Sequence, residues 1–255
     1  MDTAPRYSVV IPAYNEECEL PRTLMALQRA VDEYRASGGC GEFEFIVVDN
    51  ASTDGTARVA AQWGARVVHE PFRQIARARN RGARAATGEI LITCDADSRC
   101  HERTFREIEQ RFSARVLAAG VTVQSADRRI RFWPFYFLVN AVSVLLRLPA
   151  GMYIVRRSDF WDLGGFDETR FALEDVDFAR RLRARARASG RRVLIFTRIP
   201  ILTSTRKLRM VPLARVFKLA VLAALRPRKY LSRREYWESL FYGEGLRDHC
   251  PVVQP

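Results

Sequence analysis

The sequence predicts an α/β fold: a mostly parallel central sheet flanked by helices, followed by a helical, basic C-terminal extension. Three observations carry that expectation. Short apolar, β-branched runs alternate with helical periodicities four times within the first hundred residues, the mark of βα units. These runs show little polar alternation, as expected of strands buried on both faces. Several of them end in acidic residues, most clearly GEILITCDADS at 88–98, and ligands of open α/β sheets bind beyond the carboxyl ends of the strands.

Tyr7–Ile11 reads as the first strand, with Pro12 ending it. Leu20, Leu24, Leu27, Val31 and Tyr34 recur at helical spacing until Gly38-Gly39 stops the helix. Phe43–Val48 is the second strand, and Ser52 or Thr53 is placed to cap a helix through Ala57–Trp63, with Asp54-Gly55 as another way in. Arg66–His69 is a short third strand. Ile75–Ala86 is helical, Gly88 breaks it, and Glu89–Cys94 is the fourth strand. After residue 100 the rhythm loosens. Glu102–Phe112 reads as a helix and Val116–Val123 as a strand. The apolar, aromatic run 132–148 is short of the ~20 residues that span a bilayer, and Pro134 and Asn140 interrupt it. It reads first as a core or groove-lining helix and second as a membrane-contacting one. Gly151–Val155 is a strand, Glu174–Ser189 a helix and Val193–Phe196 a strand. Residues 209–225 carry an apolar stripe at helical spacing, followed by RPRKYLSRR. That segment fits a docked core helix or an interfacial helix beside a basic cluster for anionic lipid.

Composition bounds the function. With 255 residues and 48% hydrophobic content, a full core is available and global disorder is excluded. MDTAPRYSVVIPAYNEE runs straight into a strand and a helix, so no signal peptide is expected. Cys18, Cys40, Cys94, Cys100 and Cys250 lack CxxC spacing, which argues against a disulfide framework or zinc site and for a reducing compartment, the cytoplasm by default. The net charge of +13 is uneven: from Arg180 onward there are 19 Arg+Lys against 4 Asp+Glu, and before it 23 against 25. A basic last third attracts phosphate, nucleic acid or acidic lipid.

The acidic strand ends carry the chemistry. Asp95 and Asp97 follow an apolar strand and share a side if the chain stays extended; a solvated turn reads the same in isolation. Carboxylates are the hard ligands that Mg²⁺ takes, one or two at a time, together with substrate phosphates. Asp49 closes a strand before NASTDGT, either as a turn residue or as a contact to a base or ribose. Arg77, Arg79, Asn80 and Arg81 crowd one helix, where arginine is either a surface residue or a bidentate phosphate ligand. Glu174-Asp175 opens a helix, favoured there by the macrodipole and equally suited to general-base work on a sugar hydroxyl.

Together, VVIPAYNEE, VVDNASTDGT, ARNRGARAATGEILITCDADS, GMYIVRRSDFWDLGGFDE and EDVDFARRL resemble family 2 glycosyltransferases of the GT-A fold, over about residues 6–190. The resemblance implies inverting transfer of a sugar from a nucleotide-sugar donor with Mg²⁺ or Mn²⁺. It implies that Pro12, Ala13, Asn15 and Glu16 line the nucleoside pocket, that Asp49 contacts the base, most often uracil, and that Arg79 and Asn80 lie near the donor. Asp95 would contact ribose or metal-bound water, Ala96 would line the donor site, and Asp97 would bind the metal bridging the diphosphate, with Asp95 in support. Asp175 would deprotonate the acceptor hydroxyl, Glu174 would shape the acceptor site, and Gly151 and Met152 would flank the sugar and acceptor. Ser204, Thr205 and Arg206 are expected to close over the diphosphate. On this reading residues 1–200 are the transferase domain, with a nucleotide-binding part to 100 and an acceptor part from 101, and 201–255 are the basic extension, packed on it or on a membrane surface.

No QxxRW motif and no long transmembrane pairs are visible, which favours single addition over polymer synthesis. The apolar run and the basic tail suggest a lipid-linked acceptor in cell-envelope glycan or glycolipid synthesis, handled in the cytoplasm at the inner face of the cell membrane. A soluble small molecule or a protein acceptor stays open. Two other classes compete. A nucleic-acid-binding protein would use the Arg-rich third with Tyr236, Trp237 and Tyr242 to stack bases, but no such motif is present and no nucleic-acid partner is expected. A dinucleotide oxidoreductase would need GxGxxG after the first strand, where PAYNEE stands and Glu16 and Glu17 repel a pyrophosphate.

Overall fold

A computed structural model describes residues 4–126 and 133–204. The expected helix over 209–225, Thr205, Arg206 and the aromatic residues of the tail lie outside the described residues.

The strands form one 8-stranded sheet in the order β3-β2-β1-β4-β7-β6-β8-β5. β1 (Tyr7–Ala13), β2 (Phe43–Asp49), β3 (Arg66–His69) and β4 (Ile90–Cys94) are all parallel. β7 (Met152–Arg156) runs antiparallel between β4 and β6 (Val116–Ser125). β8 (Arg192–Thr203) is parallel to β6, and the two-residue β5 (Ser98–Arg99) closes the edge antiparallel to β8. The order reverses between β1 and β4, so a crevice opens at the carboxyl ends of those two strands.

Both faces of the central strands are covered, which is why β1, β4 and β7 are largely apolar and buried. Successive side chains point to opposite faces. Tyr7, Val9, Ile11 and Ala13 join one cluster, with Leu20, Leu24, Leu27, Val31 and Tyr34 of α1 (Leu20–Ala36). Phe105 and Ile108 of α4 (Thr104–Arg111) and Ala60 of α2 (Thr56–Gln62) pack there too. Val10, Ile46, Val48 and Leu91 face the other cluster, with α3 (Ile75–Ala85), Phe160 of α6 (Arg157–Asp162), and Phe178 and Leu182 of α7 (Glu174–Ala188). On α3, Ala76, Ala78 and Ala83 are small and buried, and at Gly82 an added Cβ would lie 2.2 Å from Val10 Cγ1 and 2.9 Å from Val48 Cγ2. That close approach sets how far α3 can bring its arginines into the crevice.

Several expectations change. Pro12 does not end β1: it pairs with Val48 of β2. β4 pairs with β1 only as far as Val10↔Thr93, so Pro12 lies past that ladder, where one side of the strand is open. Ser52 and Thr53 do not cap α2; Gly55 is its N-cap, and Asp54 Oδ1 accepts from Thr56 N at 3.0 Å. β8 runs through position 200 to Thr203, so the expected start of the extension falls inside a strand pair.

The run 132–148 is not a core helix. Its described part is α5 (Trp133–Leu146), 14 residues, of which only Tyr136 and Ser143 are buried. Among the described residues no helix is long and apolar enough to cross a membrane.

The contact at Gly82 makes a stability prediction. Val10 is a fully buried β-branched residue with no free rotamer to retreat into. Gly82→Ala is expected to destabilise the protein by about 1–3 kcal/mol through overpacking, read as a lower urea midpoint with an unchanged slope.

Candidate active site

The crevice is walled on one side by two loops that fasten each other. After β1, Asn15 sits at φ 52°. Its Oδ1 accepts from Thr53 N at 2.8 Å, and its own N donates to Ser52 Oγ at 3.1 Å. Glu16 N donates to Thr56 Oγ1 at 2.9 Å, Glu17 N to Asp54 Oδ2 at 3.2 Å, and Gly55 N to Glu17 Oε2 at 2.8 Å. Asn50 N donates to Ala13 O at 2.8 Å. The short polar residues of NASTDGT are therefore the partners of the PAYNEE loop, a pairing 35 to 40 residues apart that no local pattern announces. Pro12, Ala13, Asn15, Glu16 and Asp49 do meet at one edge of the crevice. The amide oxygen of Asn15 is already spent on the second loop. Asp49 accepts from Ser52 N at 3.0 Å through Oδ1, while Oδ2 faces His69 Nδ1 at 3.4 Å.

The centre of the site is Arg79. α3 turns it inward until its side chain is 7% exposed. Nη1 donates to Glu174 Oε1 at 2.8 Å and Nη2 to Asp95 Oδ1 at 2.9 Å. The guanidinium carbon lies 5.2 Å from the centroid of the Phe166 ring. A planar, permanently charged fork suits this double task; a lysine ammonium does not. Burial works against the charge of Arg79, but Asp95, Glu174 and Asp175 outweigh it and raise its pKa. One positive charge thus faces three carboxylates. The buried Glu174 carries the shortfall: burial, then the charge of Asp175, raises it to about 7 against the pull of Arg79.

α7 begins with Glu174, Asp175 and Asp177 in its first turn, where the helix macrodipole favours acid. Its N-cap, Leu173, is held at φ 56°, a conformation costly for a leucine and typical of functional sites. Asp175 is half-buried and takes Val176 N at 2.7 Å on Oδ1. Its backbone carbonyl accepts from the Tyr153 hydroxyl at 2.8 Å. Burial, then Asp175, pushes the Tyr153 phenol well above its ordinary value, so it stays a donor. Tyr153 reads in sequence as one more apolar residue of MYIV, and its anchoring role was not anticipated.

The extended path on which Asp95 and Asp97 would share a side is not taken. β4 stops at Cys94, and Ser98 N closes a turn onto Asp95 O at 3.0 Å. Asp95 keeps a side chain 39% exposed beside Arg79, whereas Asp97 is buried at 6%. The turn is pinned at both ends: Thr23 Oγ1 donates to Ala96 O at 2.7 Å, and Ser204 N donates to Asp97 O at 3.1 Å. Of the expected closing loop, Ser204 therefore reaches the turn, and Arg206 lies outside the described residues. Asn80 has a bracing task within the fold. It is buried, donates to Phe166 O and Glu168 Oε1 at 2.8 and 2.9 Å, and accepts from Phe166 N at 2.9 Å. It holds the GGFDE turn. Gly151, at φ 65°, precedes the Met152 that pairs with Cys94. A Cβ there would meet Ile201 Cγ2 at 2.7 Å and Val123 Cγ2 at 2.9 Å, so no side chain fits.

The donor set suits a hard divalent cation. Asp95 and Asp97 offer carboxylate oxygens, and Arg79 leaves the cluster with an excess of negative charge. Among the described residues no three His, Cys, Asp or Glu side chains converge to hold a metal by themselves. One or two carboxylates completed by substrate phosphate is the arrangement usual for Mg²⁺.

Comparison with known proteins now decides the family. The profile described as Glycosyl transferase family 2 matches residues 8–173. The chain belongs to glycosyltransferase family 2. It is 33% identical over 201 residues to an uncharacterized glycosyltransferase of Mycobacterium tuberculosis, covering 73% of this chain and 81% of that one. It is 36% identical over 98 residues to an undecaprenyl-phosphate 4-deoxy-4-formamido-L-arabinose transferase of Pseudomonas fluorescens, covering 35% of this chain and 27% of that one. The fold resembles a mannosyltransferase of Pyrobaculum calidifontis solved with GDP-Man and Mn²⁺, at TM-score 0.60 and 22% identity over 95% of this chain and 70% of that one. It also resembles S. aureus TarS solved with UDP-GlcNAc, at TM-score 0.59 and 19% identity over 78% of this chain and 58% of that one. This is the GT-A architecture the resemblance implies, and the chain is a glycosyltransferase.

Two outcomes follow from the Arg79 cluster. Arg79→Met strands the buried Glu174 and is expected to cost about 3–5 kcal/mol, the usual penalty for removing one member of a buried pair, measured by urea denaturation. The second concerns pH. Because Glu174 sits above its ordinary 4.5, the folded state binds the extra proton and stability falls as pH rises from about 4.5 to about 7. In EDTA, Glu174→Gln is expected to flatten that fall, seen as a smaller change of melting temperature between the two pH values.

Proposed function

We propose that this glycosyltransferase is a divalent-cation-dependent, inverting enzyme of single addition. It moves a sugar from a nucleoside diphosphate sugar, with uridine the favoured base, to a hydroxyl of a lipid-linked acceptor in cell-envelope glycan or glycolipid synthesis. The observation that carries this reading is the Arg79 bridge. One guanidinium joins Asp95 of the DAD turn to Glu174, and Asp175 stands beside Glu174. Donor and acceptor carboxylates are thereby set a guanidinium apart.

In this reading Pro12, Ala13, Glu16 and Asp49 receive the nucleoside, with Asp49 on the base. Asp95 faces the ribose, Ala96 and Gly151 border the diphosphate and sugar, and Arg206 closes over the diphosphate. Asp97, supported by Asp95, would hold Mg²⁺ or Mn²⁺, which when bound neutralises the charge developing on the departing diphosphate. Asp175 takes the proton of the acceptor hydroxyl as it attacks the anomeric carbon from the face opposite the leaving group. Glu174 is unsuited to that role, since its carboxylate is buried against Arg79. Glu174 and Tyr153 instead fix the first turn of α7, and so the position of Asp175. Inversion needs no carboxylate nucleophile.

The lipid-linked acceptor is supported by the undecaprenyl-phosphate transferase relative and by the basic last third of the chain. We place the enzyme in the cytoplasm, bound peripherally to the anionic inner face of the cell membrane. With 201–203 taken into β8, the remaining basic extension would serve the transferase domain or that surface.

The test is binding and turnover with UDP- and GDP-sugars, in Mn²⁺ and in EDTA. UDP is expected to raise the melting temperature only with metal, and Asp97→Ala to abolish that rise. Asp175→Asn is expected to keep the rise and lower kcat about 10²–10⁴-fold. No nucleotide binding under any metal, or full turnover in Asp175→Asn, overturns the assignment.

A further inference from the structure

α5 has its amphipathicity inverted. Its polar side chains face the protein: Asn140 Oδ1 accepts from Val123 N and Asn140 Nδ2 donates to Val123 O, both at 2.8 Å. The Ser143 hydroxyl donates to Leu148 O at 2.6 Å, and Tyr136 is buried on the same stripe. The opposite stripe is apolar and open: Trp133 is 66% exposed, Phe137 60%, Leu138 63%, Val142 42% and Leu145 80%. Trp133 and Phe137 stack with centroids 5.3 Å apart. No charged residue falls within the 14 residues of the helix. A surface helix of a protein bathed only in water shows the reverse pattern, and contiguous exposed apolar patches mark a partner.

Three further observations identify the partner. Arg128, Arg129 and Arg131 immediately precede the helix in sequence, and Arg147 follows it, so an uncharged apolar segment is bracketed by cations. That pairing suits anionic headgroups around an apolar layer, at about 1 kcal/mol per basic residue near such a surface. At 1.5 Å per residue the described helix is roughly 21 Å long, short of the ~30 Å hydrocarbon core of a bilayer, so it suits lying in one leaflet rather than spanning both. Its position ties it to the chemistry. The link 147–151 leads directly to Met152, the strand partner of Cys94, and Asp95 is the next residue of the DAD turn.

We propose that α5 lies in the headgroup layer of an anionic bilayer with its apolar stripe inward, setting the acceptor end of the active site against the membrane. This rests on the lipid-linked reading and adds the surface that delivers it. The acceptor hydroxyl then reaches Asp175 from the bilayer while the nucleotide-sugar enters from the aqueous side. The basic tail adds attraction, but α5 sets depth and orientation.

The experiment uses the full chain and vesicles of phosphatidylcholine with phosphatidylglycerol, or of phosphatidylcholine alone. Co-sedimentation is expected with the anionic vesicles. Tryptophan emission should be quenched by brominated phosphatidylcholine in those vesicles, and Trp133→Phe should lose most of the quenching. Phe137→Ser with Leu145→Ser is expected to weaken vesicle binding at least about tenfold, as loss of two buried apolar side chains requires. Binding that survives the double substitution, with quenching indifferent to Trp133, assigns the membrane contact to the basic tail and overturns the proposal. No vesicle binding, with the double substitution lowering the melting temperature or the oligomeric mass, assigns the α5 face to residues 205–255 or to a second copy, and also overturns it. Metal-dependent UDP binding, measured without vesicles, tests the transferase reading separately.

Discussion

The structure depends on one buried cation. Arg79 is 7% exposed and reaches Asp95 with one nitrogen and Glu174 with another. Those acids come from the turn after β4 and the first turn of α7, elements 79 residues apart in the chain. Without a guanidinium between them they would repel across a low-dielectric gap. With it, the two sides of the crevice are held in register. The excess of carboxylates over cations is borne by the buried Glu174, whose pKa is raised. The same imbalance distinguishes the two neighbouring acids of α7: Glu174 is buried and paired with Arg79, and Asp175 is half-buried.

That bridge requires α3 to lie close to the sheet. Alanines and Gly82 on its inner face allow this, and larger residues would lift the helix and withdraw the guanidinium. The aromatic cluster of Tyr153, Phe160, Phe166 and Phe178 forms the far wall, with Phe166 and Phe178 at 4.5 Å and Tyr153 and Phe166 at 5.7 Å between centroids. Phe166 also lies beneath the Arg79 guanidinium, so packing and charge are set by the same ring. Asn80 fixes the backbone of Phe166 from the next position of the helix, giving two consecutive residues of α3 complementary supporting roles.

Much of this was legible in the chain. The first four strands and α1 stand out because their apolar residues follow one period without interruption, and the acids at the strand ends mark the crevice. What escaped notice depends on contacts between distant segments. Pro12 continues β1 because the neighbouring ladder has already ended, a fact about β4 rather than about Pro12. The DAD residues fold into a turn because Thr23 and Ser204 hold it from two other elements. The two-residue β5 has no pattern at all and exists only as the partner of β8. α5 stays open between two readings in sequence for the opposite reason. Its composition is that of a core helix, and only the placement of Asn140 and Ser143 shows that the apolar stripe faces outward. The carboxylate roles were read from resemblance, and the geometry separates Asp95 from Asp97 and Glu174 from Asp175 in burial and partner.

The fastening of the PAYNEE and NASTDGT loops has a consequence for recognition. Flexible loops that must order around a ligand charge that loss of freedom against its affinity. Here, side chains and backbone amides of the two loops satisfy each other, with Asn15 held in a left-handed conformation that few residues tolerate. The rim of the crevice is therefore shaped without a ligand. Whatever binds there meets a preformed rim, and a substitution in either loop is transmitted to its partner.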